Sequence, residues 1–164
     1  MPNTNPDTLV ITRTFDAPRE LVWRAWSEPE MAKRWWGPQE FTCPAAQMDF
    51  RAGGKYMLCM RGAIPGGEVR DFWSTGVYKE IVPLEKIVCT DSFADADGNV
   101  VPGSHYGMED MPLEMLVTVT LEELGGKTKM TLRHKGMPAA TKDDAGAGWN
   151  QSFDKLAELL REKR

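Results

Sequence analysis

The spacing of apolar side chains changes from alternating to helical within residues 8–38. Apolar residues at positions 9, 11 and 15 alternate with polar ones and predict a strand of about nine residues, with Arg13 on the same face. Pro18 suits the start of a helix, because the N–H that it lacks would have no partner there. Apolar residues at positions 21, 22, 25 and 26 then recur at helical spacing. Ser27-Glu28-Pro29 separates this helix from a second short one that ends near Trp35.

Alternation returns after Gly37-Pro38 and continues, interrupted by turns, as far as residue 134. Gly53-Gly54 is typical of a hairpin turn, and Leu124-Gly125-Gly126 joins the last two strands. The segment Asp95–Pro112 is rich in Gly, Asp and Met and predicts a long loop. The pattern predicts strands at Phe41–Arg51, Lys55–Arg61, Arg70–Val82, Lys86–Phe93, Leu113–Glu122 and Lys127–His134.

The apolar residues of the C-terminal segment form a single helical stripe. Trp149, Phe153, Leu156 and Leu160 are spaced at i, i+4, i+7 and i+11. Strands joined by short turns form an antiparallel meander, and one face of that sheet needs this helix to cover it. We therefore expect an α+β fold, with one domain over residues 8–164 and a disordered tail at residues 1–7.

Two features favour empty space between the helix and the sheet. Ala145-Gly146-Ala147-Gly148 places four small residues before Trp149, although glycine costs about 1 kcal/mol relative to alanine in a helix. Close approach of another backbone, or space for a guest, would explain them. Ten methionines and six tryptophans provide adaptable filler and large apolar walls. A solid core of bulky side chains explains the same composition, so the pattern alone leaves both open.

Charge and cysteine content argue against several classes of function. The net charge of −4 and pI of about 5.3 disfavour nucleic-acid binding, which usually needs a basic surface. No apolar run approaches the roughly 18–20 residues of a membrane span. Cys43, Cys59 and Cys89 follow no disulfide or metal spacing, and we interpret them as reduced residues of a cytoplasmic protein. Phosphate-loop, zinc-cluster and nucleophile-elbow motifs are missing from the sequence, so we expect no metal and no cofactor.

Two polar residues fall among apolar ones in the predicted strands. His134 is expected on the same strand face as Met130 and Leu132, and Asp91 on the same strand face as Cys89 and Phe93, because these residues are spaced two apart. Each could bind a polar group of a ligand or, with Tyr78, form a proton-transfer set. Each also has an ordinary explanation as a strand-end or singly hydrogen-bonded side chain. The sequence does not bring them together.

Short motifs follow one another along residues 8–160: the first strand with Ala17-Pro18, then Val22-Trp23, Ala25-Trp26, Lys33–Pro38, Gly53-Gly54, Thr90–Phe93, Thr118–Glu123, and Gly148-Trp149 with Phe153 and Leu156. Their order resembles the family of activator of heat-shock-protein-90 ATPase homologues. This family lies in the SRPBCC superfamily, which includes START proteins and the birch-pollen allergen. The segment Asp91–Pro112 is similar to the branch that contains the calicheamicin self-resistance protein.

The resemblance implies a helix-grip fold, in which a curved seven-stranded antiparallel sheet surrounds the terminal helix. Two short helices follow the first strand, and a hydrophobic pocket lies between sheet and helix. The leading hypothesis is a protein that binds a small apolar molecule, lipid-like or polyketide-like. One alternative is an enzyme of cyclase or hydrolase type acting in the same cavity. The other is a partner of a heat-shock chaperone.

Candidate ligand-binding residues come from both layers of the expected fold. The aromatic residues expected on the helical side are Trp35, Trp36, Trp149 and Phe153. The residues expected on the sheet side are Phe50, Met60, Phe72, Tyr78 and Phe93, together with the polar Asp91 and His134. The sheet-side choices depend on strand parity, because a shift of one residue would turn every side chain of a strand to the opposite face.

Overall fold

A computed structural model of the protein describes residues 8–64 and 66–163. The tail expected at residues 1–7 lies outside the described residues. The strands and helices follow the predicted order along the chain. They are β1 (Thr8–Phe15), α1 (Arg19–Ser27), α2 (Pro29–Trp35), β2 (Thr42–Met48), β3 (Lys55–Ala63), β4 (Val69–Val82), β5 (Lys86–Ala94), β6 (Met115–Leu124), β7 (Lys127–Lys135) and α3 (Lys142–Lys163).

The seven strands form one antiparallel sheet in the order β1-β7-β6-β5-β4-β3-β2. Strands β2 to β7 form the expected meander, and β1 pairs with β7 at the other edge. In that pair Leu9 lies opposite His134, and Ile11 lies opposite Leu132. The sheet curves against α3, which confirms the α+β helix-grip fold.

The hydrophobic core lies between the sheet and α3. Phe153, Leu156 and Leu160 of α3 are buried, as the predicted stripe requires, and they belong to one cluster with Met130 and Leu132 of β7. Helices α1 and α2 add further buried members, among them Trp26 and Trp35, and strands β1 to β6 supply most of the rest. In the described ranges no helix is long and apolar enough to cross a membrane.

Strand β2 is shorter than the sequence pattern predicts. It covers Thr42–Met48 rather than Phe41–Arg51, and its register with β3 shifts between Thr42 and Ala45. Pro44 lies at this irregularity and has no N–H for the ladder, which an edge strand tolerates. Phe41 instead packs its ring over Gly62, where any side chain would collide with it.

The interpretation of the α3 glycines as sites of close backbone approach is wrong, and space for a guest beside them stays a prediction. A Cβ added to Gly146 would come 3.5 Å from Leu9 Cδ1, and one added to Gly148 would come 3.6 Å from Pro38 Cγ. These are ordinary side-chain contacts, so no backbone of the described chain approaches closely. Composition alone cannot show which way a glycine faces on a helix.

Candidate functional site

One row of side chains crosses the concave face of the sheet towards α3. Tyr78 of β4 lies opposite Cys89 of β5, Cys89 opposite Val117 of β6, and Val117 opposite His134 of β7. Direct partners in an antiparallel sheet point to the same face, so these four side chains stand together. The strand register therefore places three ionisable side chains, Tyr78, Cys89 and His134, in one row with Val117.

A small pocket of about 40 Å³ lies between this row and the helices. Such a volume holds about three water molecules and is far smaller than the clefts that enclose drug-sized ligands. Its wall includes three indole rings, those of Trp26 in α1, Trp36 directly after α2, and Trp149 in α3. The residues that line the pocket are Trp26, Trp36, Met48, Tyr56, Leu58, Tyr78, Ile87, Cys89, Asp91, Val117, Val119 and Trp149.

The three indoles form a contiguous cluster. Trp36 packs edge-on against Trp26 and Trp149, with ring centroids 6.2 and 5.4 Å apart. Trp149 also stacks on the buried ring of Phe153 at 5.5 Å. Trp36 and Trp149 are only half-buried, so they form part of the wall between the pocket and solvent. Movement of these two rings would enlarge the pocket.

The turn that follows Trp36 is held by a lysine of α3. Gly37 adopts a φ of +104°, a backbone conformation that favours glycine. Lys155 Nζ then donates hydrogen bonds to the carbonyl oxygens of Pro38 at 3.1 Å and Phe41 at 2.9 Å. Burial lowers the pKa of Lys155 from its usual value. The ammonium therefore ties the segment beside the pocket to the long helix.

A polar network occupies one corner of the pocket. The Trp149 indole N–H donates to His134 Nδ1 across 3.1 Å. The other imidazole nitrogen, Nε2, lies 3.2 Å from Asp91 Oδ2, but the pair does not meet hydrogen-bond geometry. Nε2 is therefore a buried atom without a hydrogen-bond partner among the described residues. The His134 side chain is 5% exposed and that of Asp91 is 22% exposed.

Two tyrosines and a thiol line the pocket together with the Asp91 carboxylate. Tyr56 donates to the Thr90 carbonyl oxygen at 2.7 Å, and its hydroxyl lies 3.5 Å from Asp91 Oδ1. Burial, reinforced by the Asp91 charge, raises the pKa of Tyr56 well above its usual value. Burial also raises the pKa of Tyr78, and it raises the pKa of Cys89 to about 12. All three are uncharged at neutral pH, and Cys89 is not an activated nucleophile.

Four of the sequence-predicted residues line the pocket: Trp36, Tyr78, Asp91 and Trp149. His134 stands behind them and contacts two of the four. The suggested proton-transfer set is thus brought together in part, since Asp91 and His134 are neighbours. The tyrosine whose hydroxyl approaches Asp91 is Tyr56 rather than Tyr78.

Three other predicted residues surround the pocket without lining it. Trp35 is fully buried, packs against Trp26 at 4.9 Å, and donates from its indole N–H to the Ala25 carbonyl oxygen. Phe153 is also fully buried and supports Trp149 from below. Phe50 packs edge-on against Tyr78 at 5.0 Å. All three position lining residues, and their role in ligand binding stays a prediction.

The remaining predicted residues, Met60, Phe72 and Phe93, lie on the same face of the sheet but at its other end. Met60 pairs with Phe72 in register, and Phe72 and Phe93 pack against the ring of Tyr106 at 5.3 and 5.8 Å. Tyr106 belongs to a 3₁₀ turn, Gly103–Tyr106, inside the long loop. That loop covers this end of the sheet, which sequence parity could not reveal.

Several lining residues were missed by sequence reasoning. Tyr56 and Leu58 share the parity of Met60, so the alternation already pointed to them. Val117 and Val119 alternate in a predicted strand but carry no polar atom to mark a site. Trp26 belongs to the predicted stripe of α1, and only tertiary packing shows that it reaches the pocket.

A second hollow, of about 210 Å³, lies between β1 and the C-terminal half of α3. It is larger than the pocket, but charged side chains including Arg13 and Arg161 line it. Arg13 also bonds to Asp154 at 3.0 Å across the same interface. Solvated charges around a surface groove make it a poorer place for an apolar guest than the aromatic pocket.

Comparisons with known proteins agree with this architecture. The family model described as activator of Hsp90 ATPase homolog 1-like protein matches residues 16–161. The crystal structure of protein CV1439 from Chromobacterium violaceum is 31% identical, covers 94% of this chain and 97% of its own, and superposes with a TM-score of 0.77. No curated protein matches the chain.

Two more distant crystal structures share the fold alone. The AHSA1 protein SPO3351 from Silicibacter pomeroyi is 21% identical, with 96% of this chain and 99% of that chain covered and a TM-score of 0.74. CalU16 from Micromonospora echinospora is also 21% identical, with 93% and 75% covered and a TM-score of 0.64. The similarity therefore extends over nearly the whole chain.

Proposed function

Since the chain belongs to the family of activator of Hsp90 ATPase homolog 1-like proteins, within the SRPBCC superfamily, we propose that it binds a small apolar molecule between the sheet and α3. The family fold commonly binds hydrophobic ligands. The observation that carries the proposal is the pocket itself, whose wall combines three indoles with aliphatic side chains and a single charged residue, Asp91. Apolar walls with few polar groups are typical of small-molecule sites.

Binding of a whole ligand requires the pocket to widen. In its closed form it has room for a group of only a few atoms. Trp36 and Trp149 come from different elements and meet edge to edge at the surface side of the pocket. Rotation of these rings would open a path without breaking any strand pairing. We therefore expect ligand entry to change the environment of both indoles.

The arrangement favours binding over catalysis. Burial keeps Tyr56, Tyr78 and Cys89 protonated and uncharged at neutral pH, and Asp91 is the one carboxyl group among the lining residues. An acid–base mechanism needs a proton donor or acceptor within hydrogen-bond reach of the ligand. His134 lies behind the wall with Nδ1 already accepting from Trp149. A ligand recovered chemically unchanged from the protein would agree with this view, whereas turnover would favour the cyclase or hydrolase alternative.

Titration with toluene, followed by tryptophan fluorescence, tests the proposal. The wild-type protein should give a saturable change. Val117→Phe, which places a ring in the pocket wall, should weaken binding at least tenfold. Val10→Phe is the matched control, because Val10 is also a strand valine but is 48% exposed on the outer side. A linear, non-saturating response, or equal binding by Val117→Phe and the wild type, would contradict the proposal.

We also propose a cytoplasmic location. Cys43, Cys59 and Cys89 are all free thiols, and burial raises the pKa of each above its usual value. Unpaired buried thiols are typical of proteins that fold in a reducing compartment. Fractionation of the host cell followed by immunodetection tests this, and recovery in an exported fraction would contradict it.

A further inference from the structure

The pocket contains a carboxylate that is not paired with a lysine or arginine of the described residues. Asp91 is the single charged residue in the wall, and its side chain is 22% exposed. Within residues 8–64 and 66–163, no lysine or arginine nitrogen forms an ion pair with it. A partly buried carboxylate without a cationic partner is costly, and a bound cation would relieve that cost.

His134 does not supply the missing charge. An indole nitrogen can only donate a hydrogen bond, so the contact from Trp149 requires an unprotonated Nδ1. The imidazole is then neutral and carries its one proton on Nε2, 3.2 Å from Asp91 Oδ2. With Nδ1 unprotonated, the imidazole adds no net charge to the corner.

Tyr56 does not neutralise the carboxylate either. Its hydroxyl proton is committed to the Thr90 carbonyl oxygen at 2.7 Å, and the 3.5 Å approach to Asp91 Oδ1 is at the outer limit of a hydrogen bond. The carboxylate therefore keeps lone pairs free to accept from a guest.

The remaining wall is suited to positive charge. Five lining residues are aromatic: Trp26, Trp36, Trp149, Tyr56 and Tyr78. The faces of such rings attract cations, and rings grouped around an ammonium are a common mode of recognising organic cations. The same faces and the Asp91 carboxylate repel an anion. The carboxylate and the aromatic rings therefore both favour a cationic ligand over an anionic one.

We propose that the ligand is a small organic ammonium, an apolar group bearing a protonated amine that binds to the Asp91 carboxylate within the ring of indoles and phenols. This inference rests on the proposed function and adds the ligand's charge to it. The 40 Å³ of the closed pocket admits the ammonium head, and the apolar part occupies space opened by Trp36, while Trp149 keeps its hydrogen bond to His134.

Calorimetric titration with three ligands of similar size tests whether the charge of the ligand determines its affinity. The ligands are benzylamine, benzyl alcohol and benzoate, compared at pH 7 and constant ionic strength. Benzylamine is a cation at this pH, as a lysine side chain is. It should bind at least tenfold more tightly than benzyl alcohol, and benzoate should bind most weakly. Added salt should weaken benzylamine binding and leave benzyl alcohol unchanged.

Asp91→Asn removes the charge and keeps the shape of the side chain. Its affinity for benzylamine should fall to within about twofold of its affinity for benzyl alcohol, which should itself change little. Asp97→Asn, in an exposed turn, is the matched control and should behave as wild type. The wild-type ratio of amine to alcohol affinity tests the inference even if Asp91→Asn does not fold.

The outcomes separate the two proposals. Binding of benzyl alcohol with no preference for the amine would overturn the ammonium inference and leave the apolar-binding proposal intact. Tightest binding by benzoate would also overturn it, because the corner would then be positively charged. Binding of none of the three would overturn the proposed function itself.

Discussion

The indole N–H of Trp149 donates to Nδ1 of His134 across 3.1 Å, from the long helix to the seventh strand. This hydrogen bond connects the two layers of the fold at the edge of the pocket and determines which imidazole nitrogen carries the proton. It also leaves Nε2 facing Asp91, 3.2 Å from Oδ2, so the contact places the helix next to both polar side chains of the corner.

Trp149→Phe should therefore destabilise the protein beyond the loss of ring area. Phenylalanine keeps a ring on Phe153, but it leaves the buried Nδ1 without a donor, which costs about 1–3 kcal/mol. Urea unfolding measures the loss. The control is Trp23→Phe. The half-buried Trp23 ring packs edge-on against Phe50, and this variant should lose less than about 1 kcal/mol of unfolding free energy. Equal losses in the two variants would show that the hydrogen bond contributes little.

Glycine substitutions in two places should have opposite effects. Gly76 lies opposite Tyr56 in register, and a Cβ there would overlap the Thr90 carbonyl oxygen and the Tyr56 ring. Gly76→Ala should lower the free energy of unfolding by about 3 kcal/mol or more, because backbone must shift. Gly148→Ala should raise it by about 0.5–1 kcal/mol, since its Cβ meets only Pro38 at contact distance and alanine favours the helix. A stable Gly76→Ala protein would show that β4 and β5 are less tightly packed than described.

The protein should lose stability at alkaline pH. In the unfolded chain tyrosine and cysteine ionise near pH 10.0 and 9.0, whereas burial raises the pKa of Tyr56 and takes that of Cys89 to about 12. Above these unfolded-state values the unfolded chain holds fewer protons than the folded one, so stability falls as pH rises. Each group contributes about 1.4 kcal/mol per pH unit within its window.

Urea unfolding between pH 8 and 11 measures this slope. Tyr56→Phe removes one of the groups and should make the slope shallower above pH 10, although it also loses the bond to Thr90 at every pH. An unchanged slope in Tyr56→Phe would mean that this phenol is not protected by the fold.

Lys155→Met should loosen the segment after Trp36. Methionine keeps much of the apolar stem but cannot donate to the carbonyl oxygens of Pro38 and Phe41. We expect a loss of about 1–3 kcal/mol and stronger quenching of tryptophan fluorescence by acrylamide, because Trp36 gains freedom. Lys163→Met, at the exposed end of α3, is the control. If quenching is the same in both variants, the lysine does not hold this wall of the pocket.

Much of the fold could be predicted from local pattern. Period-two alternation located six of the seven strands to within about two residues at each end, and the stripe from Trp149 to Leu160 located α3. Strand β2 is shorter than predicted because Pro44 interrupts its pairing at the edge of the sheet. The alternation of apolar and polar residues does not show whether a strand lies at an edge. The 3₁₀ turn around Tyr106 was not predicted either, because Tyr106 packs against Phe72 and Phe93, which are distant in sequence.

The pocket could be predicted only in part. Parity placed Asp91 and Tyr78 on the correct face, and the tryptophans marked the helical wall. Which residues meet depends on register across five strands, and a polar contact such as Asp91 with His134 joins residues that no local pattern relates. The facing of Gly146 and Gly148 likewise depends on how α3 rotates on the sheet.

The most direct test of apolar binding between sheet and helix is to locate bound toluene by intermolecular nuclear Overhauser effects in isotope-labelled protein. If toluene binds in the pocket, its protons should show contacts to the Trp36 and Trp149 indoles and to Val117. Contacts confined to the outer groove near Arg13 and Arg161, or none at saturating toluene, would contradict it.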